Sequence, residues 1–234
     1  MAIDPTAELT DIHRQRLDQV HQRLLKVWGA PEWREPLAPV AELVSTILSQ
    51  NTNDINRDKA FMSLTERFPT WEAVRDCDTR ELIETIRVAG LANQKGPHIQ
   101  EALQKITAHS GEITLDFLRT MPRDDARNWL TQLKGVGPKT AAIVLLFSMG
   151  IPAFPVDTHI FRVSGRLGLR PENLDREKTH TYLEAIAPDG SFEALHLNLI
   201  RLGREICQAR KVFCGSCFLS DICTFDGKVL QNLK

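Results

Sequence analysis

One stretch governs what this chain can fold into. Residues 138–149, PKTAAIVLLFSM, are apolar on almost every side after Thr140. A helix of that kind has no face to give to water and belongs at the centre of a core. Pro138 suits its first turn, where a missing N–H has no helical partner to lose. Leu17, Val20, Leu24, Leu25 and Trp28 repeat at helical spacing, and Val40, Leu43, Val44, Ile47 and Leu48 do so again. Leu82, Ile83, Ile86 and Val88 run up to Gly90, a helix stop. Further helices are predicted near 54–67, 93–109, 123–132, 158–168, 174–187 and 191–206, joined by short Gly-, Pro-, Asp- or Ser-marked connections. No segment alternates with period two, so the expected class is all-α.

A composition of 42% hydrophobic and 25% charged residues excludes a disordered chain. The longest apolar run, Ala141–Phe147, falls far short of the roughly 18–20 residues of a membrane span. Asp4, Glu8 and Asp11 argue against a basic leader, and five cysteines, an odd number, argue against a secreted disulfide framework. A reducing, cytoplasmic compartment is expected. The formal net charge of −1 conceals an uneven distribution. Residues 131–170 carry +4 and residues 201–217 carry +3, which suggests a basic face on an acidic body.

Before the apolar helix stands LKGVGPKTA. Gly135 and Gly137 permit positive φ and leave backbone N–H groups uncovered, and Val136 between them can anchor the turn. Such a turn at a helix N-terminus can grip a DNA phosphate without reading sequence. A nucleotide P-loop needs a second glycine before Lys139-Thr140 and a strand ahead of it; here Pro138 stands there and no strand precedes. Lys139, at the mouth of the apolar helix, meets a dipole and desolvation that both disfavour its ammonium, and a neutral amine can form a Schiff base. Asp157 follows 18 residues later in PVDTHIFRV. The helix carries the chain away by roughly 18 Å. The connector IPAFPV can span up to about 20 Å back. Asp157 is equally a natural N-cap for the helix starting near Thr158, and His159 can orient groups or touch DNA.

Cys207, Cys214, Cys217 and Cys223 read C-x6-C-x2-C-x5-C, a spacing that suits zinc or an iron–sulfur cluster. The loop between the first two carries Arg210 and Lys211, which a metal-stiffened loop could present to phosphates. Cys77 reads as a free buried thiol.

Taken together, LKGVGPKTAA, PVDTHIFRV and the cysteine quartet, in this order and spacing, resemble the endonuclease III family. These are DNA glycosylases of the helix–hairpin–helix superfamily with a [4Fe–4S] cluster. The resemblance runs from about Val40 to Phe225. It implies two helical domains with a DNA cleft between them: a six-helix barrel over 33–151, and a cluster-bearing domain formed by 1–32 with 152–234. Lys139 matches the family's Schiff-base lysine, Asp157 its essential aspartate, and the four cysteines its cluster ligands. ILSQNTNDINRDKA matches the segment that fills the gap left by a flipped base, with Asn51 where the family usually has Gln. GLANQKG matches the loop with a wedge leucine, here Leu91.

The implied activity is that of a bifunctional glycosylase and AP lyase in base excision repair. It acts on double-stranded damaged DNA as a monomer associated with the bacterial nucleoid. A damaged base, usually an oxidised or ring-saturated pyrimidine, is extruded, because its glycosidic bond is out of reach inside the stack. Lys139 attacks C1′, Asp157 stabilises charge or helps move a proton, and β-elimination cuts the strand. A monofunctional adenine or mismatch glycosylase would usually lack the lysine. A non-catalytic hairpin module would need neither Lys139 nor Asp157, and a zinc protein without a DNA role leaves the basic hairpin unexplained.

Overall fold

The computed structural model describes residues 5–31 and 35–230. Eleven α-helices can be followed through them: α1 (Pro5–Trp28), α2 (Pro39–Leu48), α3 (Asp54–Arg67), α4 (Trp71–Asp76), α5 (Thr79–Thr85), α6 (Ala92–Ser110), α7 (Arg123–Thr131), α8 (Pro138–Ile143), α9 (Thr158–Arg166), α10 (Arg176–Ile186) and α11 (Phe192–Glu205). No strand occurs among the described residues; Cys207 and Val212 make one isolated antiparallel bridge. The all-α expectation therefore holds. The short helix α4 and the 3-10 turns at Asp116–Thr120 and Cys214–Ser216 escaped the periodicity argument because each is too short to show a repeat; the helix expected to run up to Gly90 ends at Thr85, and a 3-10 turn at Arg87–Ala89 follows, leaving Val88 exposed.

The chain divides into two compact units, Glu35–Ile151 and a second made of Met1–Arg34 with Pro152–Lys234. The expected domain start at residue 33 lies outside the described residues.

In the first unit the apolar helix is central, as its composition requires. Ala141, Ala142, Val144 and Leu145 are fully buried, and the helix packs on α2 and α7. It is not α-helical throughout: after α8 the turn Val144–Ser148 is a π-helix. The Ser148 hydroxyl donates to the Val144 carbonyl at 2.6 Å, and the Ile151 amide reaches back to Leu145 at 2.9 Å. Around this axis Leu43, Ile47, Leu64, Leu82, Ile86, Ile99 and Leu103 are lost to water entirely. Each contributes about 1.5–3 kcal/mol of hydrophobic stabilisation. Helix starts are fixed by side-chain caps: Asn53 accepts from the Asn56 amide at 2.9 Å, Thr70 caps α4 and Asp78 caps α5.

In the second unit α9 packs against α11, and α1 packs on α10 and α11. Leu17, Val20 and Leu24 supply the buried face of α1. His13 Nδ1 meets the Tyr182 hydroxyl at 2.5 Å, and Arg23 makes a two-pronged pair with Asp221 at 2.5 and 2.8 Å.

Candidate functional site

The hairpin lies between α7 and α8. Its two glycines differ. Gly135 has φ +79°, and a Cβ there would fall 2.4 Å from His98 Nδ1. Both the left-handed backbone and the close approach require glycine. Gly137 is the N-cap of α8 with φ −95°, so it does not use the positive φ that glycine permits. It is exposed, and a side chain there would meet nothing within 4 Å. Glycine at 137 is thus unexplained from within the protein and leaves its backbone open to something outside. Val136 is 5% exposed and anchors the turn as expected. Lys139 is half-buried at the second position of α8, in the same continuous helix as the π turn.

Two further turns of this unit stand out. Asn51 (φ 51°) and Leu91 (φ 50°) are the two non-glycine residues with positive φ among the described residues. Asn tolerates that region; for Leu it costs of order 1–2 kcal/mol. Asn51 is exposed, and so is Leu91, at the N-cap of α6. Gln50, next to Asn51, donates from Nε2 to the Gly135 carbonyl at 2.8 Å, so the Asn51 turn is tied to the hairpin. Lys95 is 2% exposed and donates from Nζ to the Leu48 carbonyl at 2.7 Å and the Ala89 carbonyl at 2.8 Å. Burial pulls its pKa down to about 8. The sequence reading passed over Gln50, Lys95 and His98. For Lys95 a signal existed: it shares a helical stripe with Ile99, Ala102, Leu103 and Ile106, all buried.

Asp157 belongs to the other unit. It is the N-cap of α9, its carboxylate accepting from the Ile160 amide at 2.7 Å, so the capping role expected of it is real. The segment just before it is held by buried polar side chains from two helices. Glu184 of α10 accepts from the Phe154 amide at 2.8 Å. His180 Nδ1 lies 2.8 Å from the Phe154 carbonyl and 3.2 Å from the Val156 amide. His196 of α11 contacts the Pro155 carbonyl at 2.9 Å. His180, Glu184 and His196 are all buried, and sequence reasoning missed all three. The spacing of His180 and Glu184 by four on a buried stripe was the available clue. His159 is half-buried: its Nδ1 lies 3.2 Å from Arg162 Nη2, and its Cβ sits close to Gly203 of α11.

Three of the cations expected to give a basic face over 131–170 also bind backbone carbonyls. Arg162 donates to the carbonyls of Cys207 and Gly203, and Arg166 to those of Gln208 and Ala209. Arg170 is buried, 4.0 Å over the Phe161 ring, and donates to the carbonyls of Phe161, Pro171 and Leu174. These guanidiniums brace the 203–209 backbone and the end of α9. The exposed cations that follow are Arg210 and Lys211, the latter 4.9 Å from the Phe213 ring.

Cys207, Cys214, Cys217 and Cys223 line one cavity with Leu167, Leu202, Ile206 and Phe225. All four are half-buried free thiols. Burial, then the neighbouring cysteines, pushes the Cys217 thiol up, and burial does the same at Cys223. The Leu219 amide faces the Cys217 sulfur, the Phe225 amide the Cys223 sulfur, and Arg166 Nη1 lies 3.4 Å from the Cys207 sulfur. Four soft donors with hydrogen-bond partners around an apolar hollow suit a sulfur-ligated metal group. Among the described residues no three His, Cys, Asp or Glu side chains are arranged to hold a single ion. Four cysteine donors at this spacing suit either zinc or an iron–sulfur cluster. Cys77 is half-buried rather than buried, its thiol donating to the Val74 carbonyl at 3.3 Å.

Residues 44–188 match the model of the HhH-GPD superfamily of base excision DNA repair proteins. Endonuclease III of Sulfolobus acidocaldarius is 34% identical over 196 residues, 83% of this chain and 84% of that protein. Endonuclease III of Escherichia coli is 32% identical over 193 residues, 82% of this chain and 86% of that one. A protein of Arabidopsis thaliana named as a DNA glycosylase is 38% identical over 147 residues, and the chain spans 50% of its length. Among solved structures, a non-covalent endonuclease III–DNA complex superposes with a TM-score of 0.76 and 29% identity, covering 90% of this chain and 95% of that one. A trapped endonuclease III–DNA covalent intermediate superposes at 0.77 with the same identity and coverage.

Proposed function

Because the chain belongs to the endonuclease III family of HhH-GPD base excision repair proteins, we propose that it is a bifunctional DNA glycosylase and AP lyase in which Lys139 is the nucleophile. The observation that carries this reading is a lysine at the second position of the helix that follows the hairpin. A monofunctional enzyme usually lacks a lysine there. The hairpin backbone at Gly135–Gly137 holds a phosphate, and Asn51 and Leu91 enter the space left by the extruded base. The Lys139 amine attacks the sugar C1′ as the C1′–N bond breaks and the base departs with a proton. The sugar ring then opens, the C1′–O4′ bond breaking as O4′ takes a proton, and leaves an iminium that acidifies C2′; loss of the C2′ proton expels the 3′ phosphate, and water then releases the lysine. Asp157 stabilises positive charge on the sugar or relays a proton, its carboxylate fixed by the Ile160 amide. The substrate class proposed is oxidised or ring-saturated pyrimidines in double-stranded DNA.

Cys207, Cys214, Cys217 and Cys223 would hold a [4Fe–4S] cluster, which when bound supplies cross-linking of the 207–223 loop and no bond-breaking step. That loop presents Arg210 and Lys211 to phosphates.

The test is borohydride trapping on duplexes carrying thymine glycol or an abasic site, with iron and sulfide measured on the same sample. Adducts on both duplexes that disappear in Lys139→Gln support the full reading. Adducts on the abasic duplex alone keep the lyase and move the base preference elsewhere. An adduct that persists in Lys139→Gln, or none with wild type, removes Lys139 from the role. Stoichiometric zinc in place of iron overturns the cluster.

A further inference from the structure

We infer that Lys95 is a positioning residue for DNA opening, a buried staple that sets the Asn51 and Leu91 turns against each other. The inference rests on the reading above, in which those two turns enter the duplex. Lys95 lies in the first turn of α6, and its three nitrogen–carbonyl contacts fall on both turns. Its backbone amide bonds the Leu91 carbonyl at 3.0 Å. Its Nζ bonds the carbonyl of Ala89, two residues before Leu91, and that of Leu48, three residues before Asn51.

The chemistry of the two side-chain acceptors explains why a cation is there. Leu48 ends α2 and Ala89 ends the 3-10 turn Arg87–Ala89. Terminal carbonyls have no amide ahead of them in their own helix, and the negative end of a helix favours a cation. Burying an ammonium is nonetheless expensive before its partners are counted. A core that needed only filling would carry leucine or methionine at this place on the Ile99–Leu103–Ile106 stripe. What an apolar residue could not do is join two helix ends 41 residues apart in sequence (Leu48 and Ala89).

The strain lies beside the staple. Asn51 and Leu91 are the positive-φ non-glycine residues of the described chain, and they lie three and two residues beyond the ends that Lys95 holds. Strained residues persist where the surroundings over-determine them. Gln50 extends the same frame to the hairpin through Gly135. Hairpin, gap-filling turn and wedge turn are thus one hydrogen-bonded construction, with Lys95 at the joint between the last two.

The test compares borohydride trapping of an abasic site in duplex and in single-stranded DNA, where nothing has to be opened. A 2-aminopurine placed opposite the site reports the estranged base. Lys95→Met should lower the duplex-to-single-strand ratio of trapping rates at least tenfold and remove the 2-aminopurine rise. If Lys95→Met does not fold, Lys95→Gln, too short to reach both carbonyls, carries the same measurement with the same expected direction. An unchanged ratio with losses of equal size on both substrates makes Lys95 a stability residue and overturns the inference. Wild type that traps neither substrate overturns the lyase reading, and this inference with it.

Discussion

Gln50 holds the carbonyl of Gly135 at 2.8 Å across 85 residues of chain. Losing one such bond costs about 1 kcal/mol, close to a fivefold change in an equilibrium. Gln50→Leu should therefore weaken duplex binding roughly fivefold while leaving the slope of log affinity against log salt unchanged. Fluorescence anisotropy at several salt concentrations checks both. A shallower slope would show that Gln50 itself meets a phosphate.

The two hairpin glycines should fail in different ways. Gly135→Ala places a Cβ 2.4 Å from His98 Nδ1 in a left-handed backbone, so it should cost roughly 1–3 kcal/mol of stability. Gly137→Ala meets no such obstacle and should change stability by less than about 1 kcal/mol, yet DNA affinity should fall at least tenfold. Thermal unfolding and binding of the two proteins side by side decide it; equal stability losses would remove the argument for an outside ligand at Gly137.

Lys95 makes stability depend on pH in an unusual direction. Its folded pKa of about 8 lies below the unfolded value of 10.5. Below pH 8 both states hold the proton. Between 8 and 10.5 the unfolded chain holds more of it, so stability contributed by this group rises with pH across that window. The neutral amine keeps two N–H donors, enough for both carbonyls. Against Lys95→Met, wild type should gain about 1–3 kcal/mol from pH 7.5 to 10 in urea unfolding. Parallel curves would mean that Lys95 keeps its ordinary pKa.

Glu184 should matter to Asp157 although it lies 27 residues away. Glu184→Leu leaves the buried Phe154 amide unpaired, a loss of about 1–3 kcal/mol. Glu184→Gln can still accept that bond. Trapping rates should therefore fall in the order wild type, Gln, Leu, and the trapping defect should exceed what unfolded protein accounts for at the assay temperature. A Leu variant with full trapping would disconnect the segment from the chemistry.

The exposed cations are predicted to act by charge alone. Arg210→Ala with Lys211→Ala should reduce the salt slope by about 2, near 0.9 per phosphate contact. Arg166→Gln should instead loosen the Cys207–Ala209 backbone it braces and change the slope little. Anisotropy titrations across a salt series separate the two behaviours.

Local features were legible in the sequence. Val136 buried between two glycines, Asp157 as a cap and four cysteines around one cavity each follow from residues within a few positions of one another. What the sequence concealed is held at long range. Lys95 reaches Leu48 from 47 residues away, and His196 reaches Pro155 from 41. Spacing rules cover one or two turns and say nothing of such pairs. Charge counting also concealed a structural role: Arg162, Arg166 and Arg170 count as basic in a window, and each donates to backbone carbonyls as well. The π turn at Val144–Ser148 was hidden because an apolar run has no polar marker to show a change of pitch.

Helix α1 packs on α10 and α11, and His13 waits for Tyr182, 169 residues further along. At about 5–20 residues per second, synthesis takes roughly 10–30 s to supply that partner. Glu35–Ile151 is complete before then and can fold as it emerges. For that interval Leu17, Val20 and Leu24 have no surface of their own unit to bury them. The hazard to a nascent copy of this protein is therefore set by the speed of the ribosome, and slowing translation after Ile151 should raise the share of chains that aggregate.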